Sequence, residues 1–147
     1  MIHAPSIPVS WGELLDKLSI LEIKRSKLPP GSGLANVERE YALLKDAAAP
    51  VLENGRVATL LDRLRRVNQM LWEVEDAIRQ QEADARFGPR FVALARSVYQ
   101  TNDTRAAIKR QINLLLDSEL VEEKSYAATL APLSVEPILT ARPAGLA

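Results

Sequence analysis

Apolar side chains recur along this chain at spacings of three and four residues, the period that gathers them on one face of an α-helix. The first series runs Trp11, Leu14, Leu15, Leu18, Leu21 and Leu28. Ser10 and Glu13 stand at the N-cap and N3 positions of a capping box, with Val9 and Leu14 spaced for a hydrophobic staple. Pro29-Pro30-Gly31 ends this helix. A second helix is predicted over about 34–49, with Leu34, Val37, Tyr41, Leu44 and Ala48 on one face and Pro50 as its stop. The third starts near Asn54 and reaches about Arg86, carrying Val57, Leu60, Leu61, Leu64, Val67, Leu71, Trp72 and Ile78. Gly88 is expected to cap it and Pro89 to open a fourth helix running to about Asp117, with Phe91, Leu94, Val98, Ile108, Ile112 and Leu115 inward. Ser118 is placed to cap a further short turn through 119–124. Nowhere do branched and aromatic residues alternate with polar ones as a strand requires. The pattern therefore predicts an all-α fold: a long antiparallel hairpin of the third and fourth helices, packed with two shorter N-terminal helices in a bundle. Residues 1–9 are read as an irregular N-terminus, 10–126 as one helical domain, and 127–147, low in charge with three prolines, as a mostly irregular tail.

Two helices of about 30 residues each extend about 45 Å. A hairpin that long does not cover both its faces, so the first two helices and a second copy of the chain are expected to share the work. The apolar stripe is also interrupted. In heptad steps the fourth helix reads Phe91, Ala95, Val98, Asn102, Arg105, Lys109, Ile112 and Leu116, with three consecutive polar positions. The third reads Leu64, Val67 or Asn68, Leu71, Glu75, Ile78 and Glu82. Folding at Phe87–Pro89 sets Glu75 beside Asn102, Trp72 beside Arg105, and Asn68 beside Lys109. Trp72 is then positioned for a cation–π contact with Arg105. Three readings of this layer stand open: solvated edges that coincide by chance, a hydrogen-bonded layer fixing register and oligomer state, or a cleft in which Arg105 and Lys109 meet an anionic small molecule.

Composition narrows the chemistry. The 147 residues carry 19 basic and 19 acidic side chains, a balance that argues against a polybasic nucleic-acid binder. The cluster Arg56, Arg63, Arg65 and Arg66 has acids close by in sequence, so no nucleic-acid partner is expected. There is no cysteine and a single histidine, His3, so disulfides, thiolate metal sites and a Ser–His–Asp triad lack their parts. No cofactor is expected. The opening MIHAPSIPVS lacks the charged and apolar regions of a secretion signal, and no apolar run reaches membrane-spanning length; a cytoplasmic protein without membrane insertion is expected. Acid pairs at i, i+3, such as Glu13/Asp16 and Glu73/Asp76, fit either a Mg²⁺ site or an ordinary solvated face, and nineteen acids on helices generate such pairs freely.

Four stretches, SWGELLDKLSILEIKRSKL at 10–28, LANVERE at 34–40, VNQMLWEVEDAIRQQE at 67–82 and the run from Phe87 to Tyr126, resemble a family of small bacterial and phage proteins of unknown function. The resemblance covers 10–126 and implies an association with LPS and glycan-assembly gene clusters, with a glycosyltransferase or other glycan-assembly protein as partner. It implies no activity or catalytic residue. Its motifs include Trp11, Glu13, Asp16, Lys17, Glu22, Asn68, Trp72, Glu75, Asp76, Arg79, Asn102, Asp103, Arg105, Lys109 and Asn113.

The sequence thus favours a non-enzymatic helical accessory protein, expected as a homodimer, that binds a partner protein or an anionic metabolite such as a nucleotide sugar. Candidate ligand-binding residues are Glu75, Asn102, Arg105, Lys109, Trp72 and Asn68, with Glu13, Asp16, Lys17, Asp76 and Arg79 in a second rank. The alternatives are a metal-dependent enzyme acting on a nucleotide or sugar phosphate through acids such as Glu75 and Asp76, and an oligomeric scaffold in which the polar layer is structural.

Overall fold

Ser10 starts the first helix as its position predicts: its backbone is extended and its Oγ accepts the Glu13 N–H at 3.1 Å. In this computed structural model, which describes residues 1–125, four helices follow: α1 Trp11–Lys27, α2 Ser32–Leu52, α3 Gly55–Ala83 and α4 Pro89–Leu115. The protein is all-α, as expected; residues 1–9 have no regular secondary structure, and the tail predicted over 127–147 lies outside the described residues.

The helix ends follow local chemistry, with three departures from the sequence expectation. Pro50 lies inside α2, which continues to Leu52. A proline so near a C-terminus forfeits one bond to the preceding turn, yet its fixed φ is helical and the chain coils on. At the start of α2, Gly31 adopts φ 150°, ψ −168°, a conformation that is essentially glycine's alone. Asn54 caps α3, its Oδ1 accepting from the N–H groups of Arg56 and Val57.

The second departure is at the end of α3, where Ala85, not Gly88, takes the left-handed conformation with φ 52°. Arg86 N–H donates to the Gln81 carbonyl and Ala85 N–H to that of Glu82, the two bonds of a Schellman motif. Gly88 instead opens α4, its carbonyl accepting the Val92 N–H. The third is after α4, where Asp117 at φ 48° and Ser118 repeat the Schellman arrangement, with Ser118 N–H donating to the Asn113 carbonyl. Ser118 therefore ends α4 and starts no further turn; residues 118–125 are irregular.

The described residues fall into two compact units. The first comprises Met1–Arg65 and Ile108–Ser125, hence α1, α2, the start of α3 and the end of α4. Its core is built from Leu14, Leu15, Leu18 and Leu21 of α1, Val57, Leu61 and Leu64 of α3, and Ile108 and Ile112 of α4. Arg65 forks onto the Glu22 carboxylate at 2.7 and 3.0 Å and also bonds Asp62, tying α3 to α1. The hydrogen bond to Glu22 holds its guanidinium firmly charged against partial burial. The second unit, Arg66–Ala107, is the hairpin of α3 and α4, with Val67, Leu71, Val74 and Leu94 buried.

Candidate functional site

Charge is most concentrated where α1 meets the end of α4. A helix begins with N–H groups that have no partner of their own, and here the first three of α1 are all bound. Trp11 N–H donates to Ser118 Oγ at 3.3 Å, Gly12 N–H to Asn113 Oδ1 at 2.7 Å, and Glu13 N–H to Ser10 Oγ. Asn113 is buried, so the end of α4 supplies a preformed cap. Only glycine allows this approach: a Cβ on Gly12 would stand 2.5 Å from the Lys109 carbonyl oxygen and 3.0 Å from Asn113 Oδ1.

One turn along, Lys109 Nζ donates to Glu13 Oε2 at 2.6 Å and lies 3.6 Å from Asp16 Oδ2 and 3.4 Å from Glu122 Oε2. The Lys109 side chain is 12% exposed and that of Asp16 5%. Burial works against the ammonium, but the hydrogen bond to Glu13 and the charges of Asp16, Glu13 and Glu122 outweigh it and raise the Lys109 pKa. Glu122 is shifted down, by its hydrogen bond to Lys124 against burial and then by the charge of Lys109. Lys109, Glu13 and Asp16, singled out separately in the sequence, thus come together. The Glu13 carboxylate, predicted to turn back onto the cap, is engaged by Lys109. Lys17 points to solvent.

The second unit places the other sequence candidates. Arg105 Nη1 donates to Asn68 Oδ1 at 3.3 Å, one helical turn from its predicted neighbour Trp72. Asn68 is buried; Trp72 and Asn102 are half-buried. Glu75 is exposed and paired with Arg79 at 3.4 Å, also exposed, while Val74 takes the inward place; Asp76 faces solvent. On α4 the buried stripe runs Leu94, Ser97, Thr101 and Ile108, each one position before the heptad frame, and rejoins that frame at Ile112. Small hydroxyl residues cause the slip. Ser97 Oγ donates to the Leu94 carbonyl at 2.6 Å, so the hydroxyl of a buried serine is satisfied within its own helix.

Thr101 Oγ1 is buried without a hydrogen-bond partner. A valine of the same shape removes that unsatisfied hydroxyl, so Thr101→Val is expected to stabilise the protein by about 1 kcal/mol. Urea denaturation measures this directly; a loss of stability would mean that the hydroxyl is bound by something such as an internal water.

A third grouping lies between α1 and α2. The Arg25 guanidinium stacks 4.0 Å from the centre of the Tyr41 ring and pairs with Glu38 at 2.8 Å, while Lys45 Nζ stands 5.7 Å from the same ring. The hydrogen bond to Glu38 raises the Arg25 pKa. These residues, with Ala42, Asp46 and Ala49, line an open groove of about 540 Å³. Sequence reasoning missed it, because which turn of α1 meets which turn of α2 depends on the geometry of residues 28–31. Gly12 did carry a signal: a glycine inside an amphipathic helix marks a close approach.

Among the described residues no group of three or more His, Cys, Asp or Glu side chains is arranged to hold a metal ion, and no helix is long and apolar enough to cross a membrane. Lys109 is outnumbered by carboxylates, and among the described residues the cations that meet an aromatic face are Arg25 and Lys45 on Tyr41. No curated protein and no solved structure matches the chain. The family model described as "Family of unknown function (DUF6165)" matches residues 6–137, reaching beyond the 10–126 of the sequence resemblance. With nearly its whole length matched, the chain belongs to that family of unknown function.

Proposed function

We propose that this protein is a non-enzymatic helical accessory protein that binds a partner protein along the groove between α1 and α2. The observation that carries this reading is the poor coverage of α2. Of its 21 residues only Val37 and Ala48 are buried, and Leu43 stands 62% exposed. Tyrosine and arginine dominate binding hot spots, and an Arg25 side chain already stacked on Tyr41 and tied to Glu38 loses little freedom on contact. Lys109, by contrast, is ringed by three carboxylates, which lowers its attraction for an anionic ligand. The glycan-assembly association implied by the sequence resemblance makes cytoplasmic glycosyltransferases the first partners to test.

Binding of purified glycan-assembly proteins is the measurement. Ala42→Glu, at an exposed position in the groove lining, is expected to weaken a bound partner about tenfold or more with the melting temperature unchanged. A partner whose affinity ignores Ala42→Glu uses another surface. A second reading, an anionic metabolite such as a nucleotide sugar, is favoured by the two cations on one ring. It requires a thermal shift with the nucleotide sugar that Lys45→Ala abolishes.

A further inference from the structure

In the second unit α4 has two opposed faces. Leu94, Ser97 and Thr101 are buried. Half a turn away, at spacings of three and four, Val92, Ala95, Arg96, Tyr99, Asp103 and Ala106 share the opposite face, the first four exposed and Asp103 and Ala106 half-buried. Val92 is 50% and Tyr99 54% exposed, and Ala95 is exposed between them. Positions 92, 95, 99 and 106 follow the heptad spacing of a coiled-coil seam.

The charges on this stripe are self-complementary. When a second α4 runs antiparallel to the first, with a two-fold axis at Tyr99, Val92 meets the second copy's Ala106. Arg96 then meets the second copy's Asp103, and the same contacts recur on the other side of the axis. A parallel arrangement instead sets Arg96 against Arg96 and Asp103 against Asp103, which costs energy.

We propose that this outer face of α4 is where two copies of the chain associate, antiparallel about Tyr99. It is separate from the α1–α2 groove and does not depend on that groove's function. The expected contact is seamed by Val92, Ala95, Tyr99 and Ala106 and held in register by the two Arg96–Asp103 pairs.

The test is the mass of the full chain in solution by sedimentation equilibrium, against a 16.3 kDa monomer. The wild type is expected to be a dimer. Arg96→Asp and Asp103→Arg are each expected to weaken it about tenfold or more, because each places like charges opposite one another twice. The double exchange, R96D with D103R, restores the pairs with reversed polarity and should return the dimer. A wild type that stays monomeric at hundred-micromolar concentration overturns the proposal, as does a dimer that ignores both single reversals or a double exchange that fails to rescue. Asp103 is half-buried, so circular dichroism must show the variants folded. If D103R does not fold, Tyr99→Cys decides the matter. The chain has no cysteine of its own, so mild oxidation should join two copies through this one position near the axis. A Lys17→Cys control on α1 should stay unjoined, and failure of Tyr99→Cys to cross-link counts against the arrangement.

Discussion

Gly12→Ala is expected to lower the unfolding free energy by about 3 kcal/mol, as overpacking against backbone adds to the loss of a helix cap. Helix propensity alone predicts the opposite sign, since alanine is favoured over glycine inside a helix by about 1 kcal/mol. The reversal arises because the new Cβ meets the Lys109 carbonyl oxygen at 2.5 Å, an atom that α4 cannot rotate out of the way. Moving α1 outward instead lengthens the Gly12–Asn113 and Trp11–Ser118 hydrogen bonds and unties the helix start. Gly33→Ala is the natural control. Its added Cβ meets nothing within 4 Å, so that variant should be neutral or slightly stabilising. Urea denaturation of both variants gives the comparison, and a Gly12→Ala protein as stable as Gly33→Ala would show that α1 does not seat against α4 in this way.

Lys109→Met is the second large effect, expected to cost about 3 kcal/mol at neutral pH, at the low end for breaking a buried ion pair. The substitution keeps the aliphatic stem but takes the ammonium from an Asp16 that is 5% exposed, and from Glu13 and Glu122. Lys109 and Asp16 should be energetically coupled, so Asp16→Asn is expected to cost less in the Lys109→Met background than in the wild type. Additive losses would mean that the two groups do not act as a pair. The pH dependence follows from the raised Lys109 pKa. A lysine whose pKa is higher in the folded state stabilises fully below its ordinary value, and that contribution disappears as pH rises through the raised one. The wild type should therefore lose its advantage over Lys109→Met in the alkaline range. The lowered pKa of Glu122 acts at the other end, its smaller, solvent-screened contribution fading as pH falls through the carboxylate range.

Both predictions involve residues that the sequence had marked for other reasons. Glu13 was assigned to a capping box, Asp16 to an i, i+3 acid pair, and Lys109 to a seam between α3 and α4. The structure makes one cluster of them because α1 lies on the end of α4. Sequence spacing speaks of neighbours within a helix; contacts between α1 and α4 join residues nearly a hundred positions apart. The heptad frame failed at Glu75 and Asn102 for a different reason. A stripe followed in steps of 3.5 drifts against a helix of 3.6 residues per turn, and buried Ser97 and Thr101 look polar on the page. Asn68 and Arg105 do meet, but one turn from the predicted register, since the αL Ala85, three residues before Gly88, closes α3.

Local features were legible in the chain alone: four helices with an all-α fold, the Ser10 cap, the start of α3 near Asn54, Pro89 as the opening residue of α4, and the inward face of α2. Each follows from bonds or periodicities that span a turn or two, which a linear pattern encodes directly. Tertiary structure decided which polar groups are buried, that Asn113 and Ser118 cap α1, that Lys109 is neutralised by three acids, and that Arg25 stacks on Tyr41. Those outcomes depend on the relative placement of helices, which is set by the summed packing of many side chains and by the backbone geometry of a few turn residues. No short spacing in the chain carries that information.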